Sequence, residues 1–357
     1  MPTKIIDRYI ARVLLSAVCA VLIGICALDF LFGFLDELSL VNDAGYGPLQ
    51  VLVYVALQIP KRMFEFTPVS VLIGSLVGLG VLASQSELVV LRATGLSVVR
   101  IVLIGCKAVL WVLVFNFALV QWLIPEANLY AQSYRAVHLS EGGELKLRST
   151  NWQKDGDDII HFQHVKSDGT MVFFTRFEFD EQFQLASVTR ARQAVFERAG
   201  RWRLEDFKET RFTPNQVFYR QAELESWYTQ LTPTTLLKLV LNPSYLSVTA
   251  LWEYMSYLEA LDLNVQQHKL VFWKKVLSPG VTLVMFILAS SFLFGSLRSA
   301  TMGFRVTVGI VFGLLYRYLQ DFLGFSSLVY QVDPLWAALI PLIIFLTIGW
   351  VNLRRVS

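Results

Sequence analysis

The chain has 357 residues, 55% of them hydrophobic, with a mean hydropathy of +0.51. Soluble domains sit at about 45–50% apolar, so the composition excludes an ordinary soluble enzyme and favours a membrane protein. A net charge of +3 gives no reason to expect a nucleic-acid partner; where the charges fall says more.

In chain order, Val13–Leu35 is the first long apolar run and carries one charge, Asp29. Pro48–Pro60 is apolar but too short to span, so it lies along the interface or extends the next helix. Phe66–Ser86 and Ala108–Pro125 are uncharged, as are Val276–Leu297 and Pro334–Leu353. Phe304–Phe325 is interrupted by Arg305, Arg317 and Asp321. Each run is close to the roughly 20 residues that carry a helix across the hydrocarbon. Three spans precede a long polar stretch and three follow it. An anchor needs only one span, so this layout suggests cargo handed from the membrane to a domain outside it.

Lysine and arginine in the short loops set the orientation. Lys4, Arg8 and Arg12 precede span one, Arg92 and Arg100 lie between spans two and three, Arg298 and Arg305 lie between four and five, and Arg354 and Arg355 end the chain. The alternate loops, Asp36–Gly47 and Ser326–Asp333, have acids and no lysine or arginine. Both termini are therefore expected in the cytoplasm and the insert outside. The first apolar run is too long for a signal peptide, and no small-x-small cleavage site follows it. Cys19, Cys26 and Cys106 all fall near or within spans, which leaves no cysteine for a disulfide in the insert.

From Gly143 to Tyr228 the pattern has period two. Met171–Asp180 puts Phe173, Phe177 and Phe179 on one face and Arg176, Glu178 and Asp180 on the other. Asp158–Val165, Gln184–Arg190, Gln193–Arg198, Arg201–Phe207 and Val217–Tyr219 read as further strands, separated by turn signals at Asp155-Gly156, Ser167-Asp168-Gly169, Ala199-Gly200 and Thr213-Pro214. Regular short strands predict an antiparallel sandwich or jelly roll. Ser247–Leu261 has helical spacing through Val248, Leu251, Trp252, Met255 and Leu258, and returns the chain to the membrane. The expected division is 1–125 for the first three spans, with a cytoplasmic helix at 84–97; 126–245 for the β domain; 246–270 for the return helix; and 271–357 for the last three spans.

Catalytic signatures such as GxSxG or HExxH are missing from the sequence. His161 and His164 point to opposite faces of a strand, a poor metal pair. Asp155, Asp157 and Asp158 sit at a glycine turn, where solvated carboxylates are the ordinary outcome. The chain has no Gly-Lys dipeptide and hence no Walker A loop. Active transport would require another subunit to hydrolyse the nucleotide, so ATP and Mg are expected on a partner and no cofactor on this chain.

Ser84–Gly95 joins spans two and three. Ser84 or Ser86 can cap a short helix, Glu87 suits its first turn, and Gly95 can end it. Leu88, Val89, Leu91 and Leu96 are more apolar than a solvated loop requires. Such a helix fits a partner's groove or the headgroup layer. At the outer level, Lys61, Arg62, Lys269, Lys274 and Lys275 run against the positive-inside tendency, and basic groups there suit lipid phosphates. Arg317 and Asp321 are spaced i, i+4 for an intramembrane pair.

Asp7-Arg8-Tyr9-Ile10, Ser86–Gly95 and Leu297-Arg-Ser299 with Met302-Gly303 and Arg305 together resemble the lipopolysaccharide export permeases of the LptF/LptG (YjgP/YjgQ) family, and the first two stretches are more similar to the LptG branch. The resemblance implies an α-helical membrane protein of six transmembrane helices, three plus three, with an inserted periplasmic antiparallel β-jelly-roll domain, in the bacterial inner membrane. It implies a homologous permease partner, LptF, and an ATPase dimer, LptB. LptB closure would be transmitted through Glu87, Leu88, Leu91 and Arg92, with Arg298 and Arg305 in the second cytoplasmic loop. Lipopolysaccharide would then leave through LptC and LptA. Some relatives carry lysines just after the first span; Gly33-Phe34-Leu35-Asp36-Glu37 stands there instead, which shifts phosphate binding to Lys61, Arg62, Lys274 and Lys275. A membrane enzyme acting on lipid headgroups, or a scaffold that binds a periplasmic protein through the β domain, are the other classes.

Overall fold

The computed structural model describes residues 2–41, 45–139 and 151–355, apart from 156–157, 163, 166–168, 181, 183, 199, 214–215, 230, 233–242, 261–262, 296 and 298–299 within the last range. The helices in chain order are α1 (Pro2–Leu38), α2 (Pro48–Leu57), α3 (Ile59–Ser84), α4 (Glu87–Ala93), α5 (Val98–Ala118) and α6 (Ile124–Leu139). Strands β1 (Asn151–Asp155), β2 (Asp158–Phe162), β3 (His164–Val165), β4 (Met171–Phe179), β5 (Leu185–Arg198), β6 (Arg201–Thr213) and β7 (Gln216–Tyr228) follow. Then come α7 (Val248–Ala260), α8 (Gln266–Phe294), α9 (Met302–Val329) and α10 (Pro334–Arg354).

Six helices are long and apolar enough to cross a membrane. The third candidate runs on from α5 through one π turn, Leu119–Leu123, into α6, well past the expected end at Pro125. Arg305, Arg317 and Asp321 do not break α9, because charges on one or two faces of a helix leave its backbone hydrogen bonds intact. Pro48–Pro60 resolves into a separate short helix, α2, which meets α3 at Gln58.

α3 and α8 are the most buried spans and pack on each other. α1 and α9 lie against α3, while α5 and α10 lie against α8. Lipid offers no hydrophobic drive between apolar helices, so close packing through small residues has to hold them together. A Cβ at Gly74 would lie 2.5 Å from the Val18 backbone, one at Gly313 2.8 Å from Val69, and one at Gly105 2.1 Å from the Phe286 ring. Polar termini are met locally: Ser97 Oγ accepts from the Arg100 amide, Thr301 Oγ1 from the Phe304 amide and Asp333 Oδ1 from the Leu335 amide.

The strands form one antiparallel sheet in chain order, β1-β2-β4-β5-β6-β7, with β3 also on β4. The sheet is open, since β1 and β7 do not pair among the described residues. The two expected segments Gln184–Arg190 and Gln193–Arg198 are one long strand, β5, and β1 was not anticipated. The assignment of faces on β4 is corrected. Phe173 has φ 53 and is skipped in the ladder, where Val172 faces Gln193 and Phe174 faces Ala191. The register is the same on both sides of it, but the left-handed residue flips the phase of burial, so Met171 and Phe174 are both in the core and Phe173 is exposed. Arg176 then shares a face with Ile160, its cross-strand partner. Asp206, with φ 60, produces the same change between Leu204 and Phe207 on β6. Ile160, Phe162, Phe174, Trp202, Phe207 and Trp227 form the sheet's core, against which Tyr257 of α7 packs.

Candidate functional site

At the end of the bundle next to the sheet, α3, α8 and α9 enclose a cleft of about 280 Å³. Lys61, Glu65, Lys274, Lys275, Arg317 and Asp321 are its charged lining, and Phe64, Val69, Leu270 and Val281 belong to its apolar lining. The chain has thus brought together three of the five outer basic residues and the Arg317–Asp321 pair. Two carboxylates, Glu65 and Asp321, offset part of the charge of the four cations. Lys61 Nζ is 3.6 Å from Glu65, Lys274 Nζ is 3.1 Å from Asp321, and Arg317 Nε is 4.0 Å from the same carboxylate. Partly exposed pairs of this kind are worth about 0–1 kcal/mol, so a more highly charged anion can displace the carboxylates at little cost.

Lys275 plays a different part from the other lysines. It is 8% exposed and donates to the carbonyls of Ser244 and Leu246, the first at 2.9 Å. Those carbonyls belong to the chain that returns from the β domain through the single turn Pro243–Tyr245. Lys61 lies 4.6 Å from the centroid of the Tyr245 ring. Burial first, then the Glu65 carboxylate, holds the Tyr245 phenol above its ordinary pKa, so the ring stays neutral and its face remains attractive to the ammonium. Two lysines from two helices therefore pin the strap that roofs the cleft.

Arg62 and Lys269 are not in the cleft lining, although Arg62 Nη1 is 4.0 Å from Glu65. Arg62 turns to Asp29 at 3.2 Å and lines a second cleft, of about 230 Å³, with Asp36, Glu37, Tyr54 and Gln58. Lys269 pairs with Glu259 of α7 at 2.7 Å. In the second cleft Glu37 accepts from Arg135 Nε at 2.5 Å and from Tyr46 Oη at 3.0 Å. The acid in the Gly33–Glu37 segment thus ties α1 to α6. Neither Tyr245 nor Arg135 could be found from spacing, because their partners lie far away in sequence. Lys61–Glu65, at i, i+4, could have been.

At the opposite end, α4 is held by its apolar face. Leu88 is buried and Leu91 half-buried against Ile6, Ile10, Leu14 and Val98, while Val89, Val90 and Arg92 are exposed. Gly95, at φ 91, ends the helix; its amide donates to Arg92 and that of Leu96 to Leu91, a Schellman closure. The expected serine cap does not form. Ser86 stands at the N-cap with φ 62 and makes no side-chain cap bond, and Ser84 Oγ donates back to Val81. A side-chain cap needs extended backbone, whereas the tight turn out of α3 imposes the left-handed form. Glu87 instead accepts from Tyr9 Oη, at 2.9 and 3.1 Å to its two oxygens.

Arg305 is 3% exposed; Nε donates to Leu297 at 3.2 Å and Nη1 to Gly80 at 2.9 Å. It locks α3 to the loop before α9. Arg298 lies outside the described residues.

Residues 8–355 match the family described as the lipopolysaccharide export system permease LptF/LptG. The chain belongs to this family. Among curated proteins it is 33% identical over 351 residues to the lipopolysaccharide export system permease protein LptG of Haemophilus influenzae, covering 98% of each chain. It is 32% identical over 357 residues to LptG of Escherichia coli K12, covering 99% of each. Membership in the LptF/LptG family makes the protein a lipopolysaccharide export permease subunit with six apolar helices and an inserted antiparallel sheet.

Proposed function

We propose that this permease works in the bacterial inner membrane, with both termini cytoplasmic and the sheet periplasmic, and draws lipopolysaccharide from the outer leaflet into the cleft between α3, α8 and α9. The observation that carries the reading is the meeting of cations and apolar side chains in one cleft, Lys61, Lys274 and Arg317 together with Phe64, Val69 and Val281. A lipid phosphate meets the cations and the acyl chains stay in apolar surroundings. Each CH₂ kept from water saves about 0.8 kcal/mol, so a continuous apolar route removes most of the cost of extraction.

A cleft of about 280 Å³ accommodates a phosphate-bearing headgroup fragment, and the acyl chains of a multi-chain lipid need more room. The long exposed apolar faces of α1 (Leu28, Leu31, Phe32) and α9 (Leu315, Phe322, Phe325) support a second permease, LptF, completing the chamber. An LptB dimer carrying ATP and Mg would dock at α4 and engage Glu87 and Arg92, with Val89 and Val90 filling its groove. LptC and then LptA would receive the lipid from the sheet.

The test is charge reversal. Lys61→Glu together with Lys274→Glu, in the assembled complex, should reduce co-purifying lipopolysaccharide about tenfold, because two attractive contacts become repulsive. Undiminished lipid on a normally assembled complex would remove these residues from the pathway.

A further inference from the structure

We propose that Tyr9 is a positioning residue for Glu87 and that it makes α1 the helix that receives the displacement of α4. The inference rests on the reading of Glu87 as the point of contact with the ATPase.

The geometry is specific. One phenolic proton sits between both oxygens of Glu87, with Tyr9 Oη at 2.9 Å from one and 3.1 Å from the other. A carboxylate has about four lone-pair directions, so a side-on phenol leaves the outward ones open for a partner's cation. Tyr9 therefore aims the carboxylate without occupying it. The helix start adds no serine cap, because Ser86 is left-handed and its side chain makes no cap bond. α4 has seven residues, too few to hold itself. Its Leu88 and Leu91 belong to the apolar cluster that also holds Ile6 and Ile10 of α1.

The other end of α1 explains what the bond is for. α1 is one unbroken helix from Pro2 to Leu38 with no internal proline. Tyr9 and Asp29 are about 30 Å apart along it at 1.5 Å per residue. Asp29 is ion-paired to Arg62 of α3, the residue next to Lys61 in the cleft wall. A push on α4 thus has a stiff path to the lipid-facing end, and Tyr9–Glu87 is its first polar link.

The experiment compares Tyr9→Phe, Tyr9→Ala and Glu87→Ala in the complete complex, reconstituted in vesicles containing lipopolysaccharide, reading assembly and lipid released per ATP hydrolysed. Tyr9→Phe should assemble normally and lower lipid released per ATP about fivefold, since one hydrogen bond to a charged group is lost. Tyr9→Phe should add nothing to Glu87→Ala, and Tyr9→Ala should be impaired at least as much as Tyr9→Phe. Unchanged release per ATP in Tyr9→Phe overturns the proposal, and a defect confined to Tyr9→Ala would make the ring a packing element. If Glu87→Ala is itself silent, the coupling role of Glu87 fails, a result distinct from a silent Tyr9→Phe beside a defective Glu87→Ala.

Discussion

Arg305→Met should lower the melting temperature of the purified protein by roughly 5–10 °C, the largest loss expected from any single charged residue in the bundle. The guanidinium is 3% exposed and spends its donors on the carbonyls of Leu297 and Gly80. Methionine matches much of the volume and supplies no donor. Two acceptors in a water-poor interior then lose a charged partner, at about 1–3 kcal/mol each. Arg305→Lys should recover part of the loss, because an ammonium is a point donor and does not span both carbonyls as the planar fork does. Melting temperature followed by tryptophan fluorescence decides it, and a methionine variant as stable as the parent would refute the lock.

Gly105→Leu should be about as damaging, for a steric reason. A Cβ at Gly105 would stand 2.1 Å from one ring carbon of Phe286 and 2.9 and 3.0 Å from two others. Phe286 is fully buried in the same cluster and has no free side to swing into. Overpacking a close-packed interior costs about 1–3 kcal/mol even for small insertions, and here the backbones of α5 and α8 have to part. Phe286→Ala in the same chain should relieve the clash and recover stability relative to Gly105→Leu alone. Gly303→Ala, where an added Cβ meets nothing within 4 Å, is the neutral control. The same melting experiment reads all three, and equal stability of Gly105→Leu and parent would show that the helices are not packed this closely.

Both effects depend on long-range partners, and that marks the limit of what the sequence made legible. The six spans could be read because hydrocarbon thickness fixes a helix length and excludes charge. The insert could be read as β because alternation is local. Glu87 at a helix start and Gly95 at its end could be placed because caps are local too. The side of β4 could not, since Phe173 and Asp206 take left-handed backbone that reverses the alternation of burial without shifting the register, and the residue types do not mark it. Nor could the lysines be sorted. Lys269, Lys274 and Lys275 look alike in sequence, yet one pairs with α7, one with Asp321 in the cleft, and one is spent on backbone carbonyls. Helical phase turns neighbours some 100° apart, so residues that are adjacent in the chain serve different walls. Tyr9 lay within a recognisable motif, but its partner is 78 residues away, and only the fold joins them.

The passage of lipid through the cleft between α3, α8 and α9 is tested most directly by a photo-crosslinking amino acid at Phe64, an aromatic position in its apolar lining. In the complete complex, with ATP, a probe at position 64 should crosslink lipopolysaccharide, and Lys61→Glu with Lys274→Glu should abolish the product. A probe at Trp111, 73% exposed on the outer face of α5, should not yield it above background. Crosslinking from position 111 with none from position 64 would contradict the route.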